Sequence, residues 1–194
     1  MTTRIALACV CGLPALLVTS PVPAAERWYT FRGCSLLNNP ANDGDSFHVR
    51  HGRNEYIFRL YFVDTPESDG QIPERVRQQA EHWNMSTQDV VRLGRTAADF
   101  TRKVLRGEFT VLTRFEDAMG QSRLKRFYAV VTAENESLDE ALIRNGLAGV
   151  YGEIVDLPDG TPARDHVQRL KALEREARKQ KAGGWAVEGR HSGP

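Results

Sequence analysis

The sequence predicts an α+β domain, and three observations carry that reading. Short segments of strand composition come first: residues 28–37, a stretch through Phe47 and Val49, and residues 56–63. Apolar residues at helical spacing follow, with Leu93, Ala97, Phe100, Val104 and Leu105 on one helix side and Val167, Leu170, Leu173 and Ala177 on another. Two more strand-like runs, 109–114 and 127–132, lie between those helices, so strands and helices interleave without a regular βαβ alternation.

The 194 residues open with a leader: Arg4, an apolar run from Ile5 to Val18, then small residues around Val22-Pro23-Ala24. The apolar run is shorter than the ~20 residues of a membrane span. Residues 1–25 are therefore expected to be a signal peptide, 26–186 the domain and 187–194 a loose tail, with the mature protein periplasmic or secreted. The length suits one domain with a proper core. Loss of Arg4 leaves 25 bases against 25 acids, so any attraction for a polyanion must be local. Cys9 and Cys11 leave with the leader, and Cys34 alone cannot form an intramolecular disulfide. It is expected to be a small buried residue.

In chain order, the first strand is followed by the turn cluster Asn38-Asn39-Pro40-Ala41-Asn42. That turn delivers Asp43, Gly44 and Asp45. Asp43 reads equally as a turn residue and as support for a metal shell. His51-Gly52-Arg53-Asn54 reads as a hairpin turn, and residues 56–63 form the return strand. A strand this apolar is expected to be buried on both faces. It nevertheless carries Arg59 and ends in Asp64, and buried ions need pairing or a use.

Antiparallel pairing brings Asp45 and Asp64 to the same end of the hairpin. Two facing carboxylates with no nearby His or Cys favour a hard cation, Ca²⁺ or Mg²⁺. Pro66 stops the strand and biases Thr65 to an extended backbone, so that the Thr65 carbonyl completes the shell. Glu67, just past the proline, suits a general base acting on water. Arg59 offers a planar fork to a phosphate.

Segment 68–85 then holds an extra helix, with Pro73 in its first turn and Ile72, Val76, Ala80 and Trp83 on one side. It is expected chiefly to cap the barrel, with control of access as a secondary role, the charged residues between its apolar positions facing solvent. His82 is read as a surface histidine. Ser86 caps the next helix with Asp89 three positions on, and Gly107 ends it. After strand 109–114, residues 116–121 turn, and Arg126 precedes strand 127–132. Ser137-Leu138-Asp139-Glu140 reads as a capping box opening a short helix that stops at Gly146. The basic residues of the last helix read first as a solvated face and second as a modest nucleic-acid tracking surface. Trp185 docks after Gly183-Gly184.

Asp43-Gly44-Asp45-Ser46 and the run Phe58-Arg59-Leu60-Tyr61-Phe62-Val63-Asp64-Thr65-Pro66-Glu67 resemble the active-site hairpin of the staphylococcal-nuclease (thermonuclease) family. The resemblance continues in order through Arg126, the stretch from Asp139 to Ala148 and the helix ending at Trp185. It implies a five-stranded OB-fold β-barrel with three or four packed helices. It also implies a nuclease that uses Ca²⁺ on Asp45, Asp64 and the Thr65 carbonyl, with Glu67 as general base and Arg59 and Arg126 on the phosphate. DNA and RNA would be cut to 3′-phosphates, with no strong sequence specificity because the contacts are to phosphate.

The family's Lys-Tyr-Gly before the second arginine is Arg123-Leu124-Lys125 here, which removes a nucleotide-contacting tyrosine. Tyr151 keeps an aromatic nearby out of register, either to stack on a base or to fill core. The expected protein is thus a secreted Ca²⁺-dependent nuclease, monomeric and without a stable protein partner or membrane contact once its signal peptide is cleaved. The alternatives are a non-catalytic nucleic-acid-binding OB-fold module and an exported hydrolase of another phosphodiester.

Overall fold

A computed structural model describes residues 27–119 and 125–186. The expected signal peptide, the expected tail and Arg123 of the basic loop lie outside the described residues. No helix among the described residues is long and apolar enough to cross a membrane.

Strand β1 (Tyr29–Leu36) pairs antiparallel with β2 (Ser46–His51) through Leu36 opposite Val49. β2 returns through a tight turn into β3 (Asn54–Leu60), with His51 opposite Asn54 and Ser46 opposite Arg59. On its other edge β1 pairs with β5 (Phe109–Asp117), which pairs antiparallel with β6 (Arg126–Ala133). A parallel pairing of β3 with β6, Ile57 opposite Arg126 through Leu60 opposite Ala129, closes the barrel. The result, among the described residues, is a closed five-stranded mixed barrel with four helices, the α+β OB architecture that the resemblance implied.

The barrel interior is filled by Cys34, Phe47, Val49, Phe58, Leu60, Val111, Ala129 and Val131, all buried. Phe47 and Val49 share a face, as do Phe58 and Leu60, as the two-residue period of a strand requires. The neighbouring Ile57 is also buried, so β3 is covered on both faces, as its composition predicts.

One expected strand is in fact two. β3 ends at Leu60, and Phe62 takes a φ of +69° before β4 (Val63–Asp64). The bend is held by tertiary bonds: the Phe62 N–H donates to Glu153 O at 2.8 Å, and Tyr151 N–H donates to Phe62 O at 2.9 Å. β4 pairs with β8 (Gly149–Val150), Asp64 opposite Gly149. A left-handed conformation at a bulky residue costs about 1–3 kcal/mol. Here it swings Asp64 back across the barrel end.

The extra helix is present as α1 (Pro73–Trp83), with Pro73 in its first turn. Val76 and Trp83 are buried, and Trp83 stacks on Trp185 with ring centroids 4.1 Å apart. α1 therefore packs its apolar side against α2 and Trp185. α2 (Thr87–Val104) starts where Ser86 Oγ accepts from Asp89 N–H at 3.1 Å. β5 runs through Glu116 and Asp117, which the sequence reading placed in a turn; Tyr61 Oη donates to Glu116 there at 2.5 Å.

The two-residue strand β7 (Glu136–Ser137) leads into α3 (Leu138–Arg144). The predicted capping box does not form. Ser137 Oγ donates to Asp139, and the Asp139 carboxylate also takes the buried His166 Nε2 at 2.7 Å from α4 (Ala163–Lys179). Glu140 turns to Arg169 instead of back to Ser137. A 3₁₀ turn, Gly183–Ala186, delivers Trp185 to its place.

Candidate active site

The site is assembled at the end of the barrel where β2 starts and β3 ends. The Asp43 carboxylate accepts from Asp45 N–H at 3.2 Å and Ser46 N–H at 2.7 Å, fixing the turn. Gly44 is needed for space: a Cβ there would stand 2.7 Å from Thr65 Cγ2 and 2.8 Å from Ala97 Cβ of α2. Thr101 Oγ1 of α2 donates to Gly44 O at 2.6 Å. Asp45 is buried, and its Oδ2 accepts from Thr65 N–H at 2.9 Å. That bond ties the two ends of the hairpin together.

Arg59 lies between the two carboxylates that the sequence paired. Its Nη2 is 2.5 Å from Asp64 Oδ1 and 3.3 Å from Asp45 Oδ2. The Asp45 charge holds the guanidinium firmly protonated, with Asp64 and Asp43 adding to it against the effect of burial. The carboxylates are less comfortable. Burial and repulsion from Asp45 push the Asp64 carboxyl upward, against the pull of Arg75 and Arg59. Asp43 is raised well above its ordinary range, by burial first and Asp45 second.

Glu67 stands on the arm after Pro66, where α2 approaches unusually closely. A Cβ on Gly94 would lie 2.3 Å from Glu67 O and 2.5 Å from Pro66 O, so only glycine lets the helix back this arm. On the other side α1 reaches in, and its Arg75 does so against the expectation that the charged residues of this helix face solvent. Arg75 Nε donates to Glu67 Oε1, and its Nη2 lies 2.5 Å from Asp64 Oδ1. The buried Gln79 accepts from Glu67 N–H at 2.8 Å and donates to Thr65 O at 3.1 Å and Asp64 Oδ2 at 3.2 Å. Arg75 and Gln79 escaped the sequence reading. The available signal was their place, four residues apart on a helix that directly follows Glu67.

Arg126 begins β6 at the margin of this group. Its guanidinium donates to Met119 O at 2.6 Å and reaches Ser46 Oγ at 3.4 Å, next to Asp45. Five of the six expected residues (Asp45, Arg59, Asp64, Thr65, Glu67) therefore form one bonded cluster, and Arg126 flanks it. Tyr151 follows β8 and is exposed, which removes it from the core.

The oxygens fit a hard divalent cation. Asp45, Asp64 and Thr65 O offer two carboxylates and a carbonyl with no nitrogen or sulfur, and a cation would relieve the repulsion that raises Asp64. Among the described residues no three His, Cys, Asp or Glu side chains gather in metal-binding fashion. Water or substrate oxygen would have to complete the shell.

Compared with known families, the sequence matches the staphylococcal nuclease homologue family over residues 57–187, more than half of the chain. The chain belongs to the staphylococcal nuclease family. The matched segment contains Arg59, Asp64, Thr65, Glu67 and Arg126, and it also spans α1 with Arg75 and Gln79. Asp45 lies upstream of the match. Its place in the cluster comes from the β2–β3 register and its bond to Thr65. Family membership brings with it a nuclease-type fold, a likeness to nucleic-acid-binding proteins and a family habit of calcium dependence.

Proposed function

We propose that this protein is an exported, monomeric, Ca²⁺-dependent nuclease that hydrolyses phosphodiester bonds of DNA, RNA or both and leaves 3′-phosphates. The supporting observation is the convergence of Asp45, Arg59, Asp64, Thr65 O and Glu67 at one barrel end, beside Arg126. A binding module has no need of a carboxylate pair with a third carboxylate on a separate arm.

A phosphodiester resists attack because it is anionic. Asp45, Asp64 and the Thr65 carbonyl would hold Ca²⁺, which supplies Lewis-acid polarisation of one phosphate oxygen. Glu67, released from Arg75, accepts a proton from the attacking water as its oxygen bonds to phosphorus. The bond from phosphorus to the 5′-oxygen breaks, and that oxygen takes a proton from solvent. The products are a 3′-phosphate and a 5′-hydroxyl. Arg59 and Arg126 hold the remaining oxygens, and their charge-assisted bonds strengthen as negative charge grows toward the five-coordinate transition state.

A second reading, a nucleic-acid-binding module without turnover, is favoured by one feature: Arg75 pairs with both Asp64 and Glu67. Cleavage of single- and double-stranded DNA and RNA, with Ca²⁺, with Mg²⁺ and with chelator, separates the two. Calcium-dependent cleavage with 3′-phosphate ends is expected. Binding without cleavage under every condition would leave the module reading standing.

A further inference from the structure

A cleft of about 230 Å³ opens beside the cluster, between α1 and β8. Asp64, Arg75 and Tyr151 are among the residues that line it. Gln78 and His82, one helical turn apart on α1, line it as well. A larger depression, about 760 Å³, lies between α1 and α2, but its Arg77 and Arg92 are paired with Glu74 and Asp89, and it holds no residue of the cluster.

We propose that the α1–β8 cleft, which Asp64 and Arg75 of the cluster help to line, is a nucleotide subsite, taking the single unpaired base next to the phosphodiester held by Arg59 and Arg126. The identity of the ligand rests on the nuclease reading; the site itself rests on the cleft. Arg75, Gln78, Gln79 and His82 recur at three- and four-residue steps and so form one polar stripe on α1. Arg75 and Gln79 are engaged with the catalytic arm. The side chains of Gln78 and His82 make no hydrogen bond among the described residues, so an amide and an imidazole face the cleft with donors and acceptors to offer.

The wall is rigid. His82 packs edge-on against Trp83 at 5.8 Å, and Trp83 is stacked on Trp185. Gly149 makes room for it: His82 Nε2 lies 3.3 Å from where a Cβ would stand on that residue, the ladder partner of Asp64. Tyr151, on the β8 side of the cleft, presents an exposed ring on a backbone anchored to Phe62 O.

Flat rings and an amide edge are the groups that stack on and read a nucleobase. The volume falls below the roughly 300–1,000 Å³ of sites for drug-sized ligands, which suits one base and not a base pair. The subsite therefore selects single-stranded or frayed nucleic acid, and the residues that do so belong to α1.

The test uses the mature chain carrying Glu67→Gln, so that the probe survives. Binding of a fluorescently labelled single-stranded oligonucleotide is followed by anisotropy in Ca²⁺, with and without the pair Gln78→Ala and His82→Ala. Calorimetric Ca²⁺ titration of the same proteins reports whether the cluster is intact. The subsite predicts about tenfold weaker oligonucleotide binding from the pair, the order of one lost base contact, with Ca²⁺ affinity unchanged. Unchanged oligonucleotide affinity overturns it. A parallel loss of Ca²⁺ affinity also overturns it, by making the two residues structural, and so does a parent chain that binds no oligonucleotide. Cleavage by the unmutated protein judges the nuclease reading separately: binding that depends on Gln78 and His82 without cleavage keeps the subsite and removes the catalysis.

Discussion

Arg75 Nη2 stands 2.5 Å from Asp64 Oδ1, while its Nε bonds Glu67, so one guanidinium bridges a candidate cation ligand and the candidate base. Burial alone would lower its pKa, but Asp64 and Glu67 raise it, and it stays charged. It acts as an internal counter-ion against which an entering cation must compete.

Removing that competitor has a measurable sign. Arg75→Gln should tighten Ca²⁺ binding by roughly three- to tenfold at low salt, the partly exposed guanidinium being screened. Arg75→Lys should stay near the wild type. Calorimetric titration reads both. Weaker Ca²⁺ binding by Arg75→Gln would mean that Arg75 organises the carboxylates and does not compete for them.

The close backing of the Glu67 arm by α2 makes Gly94 a second sensitive position. Gly94→Ala gains helix propensity, about 1 kcal/mol. Its methyl would meet Glu67 O and Pro66 O, both backbone atoms that cannot rotate away. Overpacking of this kind costs roughly 1–3 kcal/mol and displaces the arm. A lower urea midpoint together with reduced cleavage is expected. A midpoint above the wild type would show that the arm yields without cost.

The buried pair of Asp139 and His166 joins α3 to α4. His166→Ala leaves Asp139 with only Ser137 Oγ and the Glu140 N–H, and removes the ring that packs on Phe62. A loss on the order of 3 kcal/mol in urea unfolding is expected. A loss within 0.5 kcal/mol, the usual scale of surface substitutions, would assign the pair no structural weight.

Cys34 gives a probe of the barrel interior. Burial pushes its thiol up to about 11, and Sγ donates to Phe31 O at 3.4 Å. The chain from residue 26 onward should be inert to a thiol reagent at neutral pH and react with one equivalent once unfolded. Rapid reaction of the folded protein would contradict a closed barrel.

The barrel strands were legible because alternation in Phe47, Val49, Phe58 and Leu60 is local. The parallel closure of β3 on β6 was not, since residues 57 and 126 share no local pattern. The break at Phe62 left no mark, because a bulky residue at positive φ looks in sequence like more strand. Asp45 and Asp64 could be paired from the hairpin alone. Arg75 and Gln79 could not, because a polar residue between apolar helix positions reads alike whether solvent or a site lies opposite it. Asp139 was misread for the same local reason: its neighbours spell a cap, and its partner His166 is 27 residues away.

The most direct test of the central claim is single-turnover cleavage of a nucleic-acid substrate by Glu67→Gln in saturating Ca²⁺, beside the unmutated mature protein. The account predicts an unchanged fold and Ca²⁺ affinity with a cleavage step slowed by about 10²–10⁴-fold, the contribution of a positioned general base. Equal rates in the two proteins would take Glu67 out of the proton transfer and contradict the mechanism built on it.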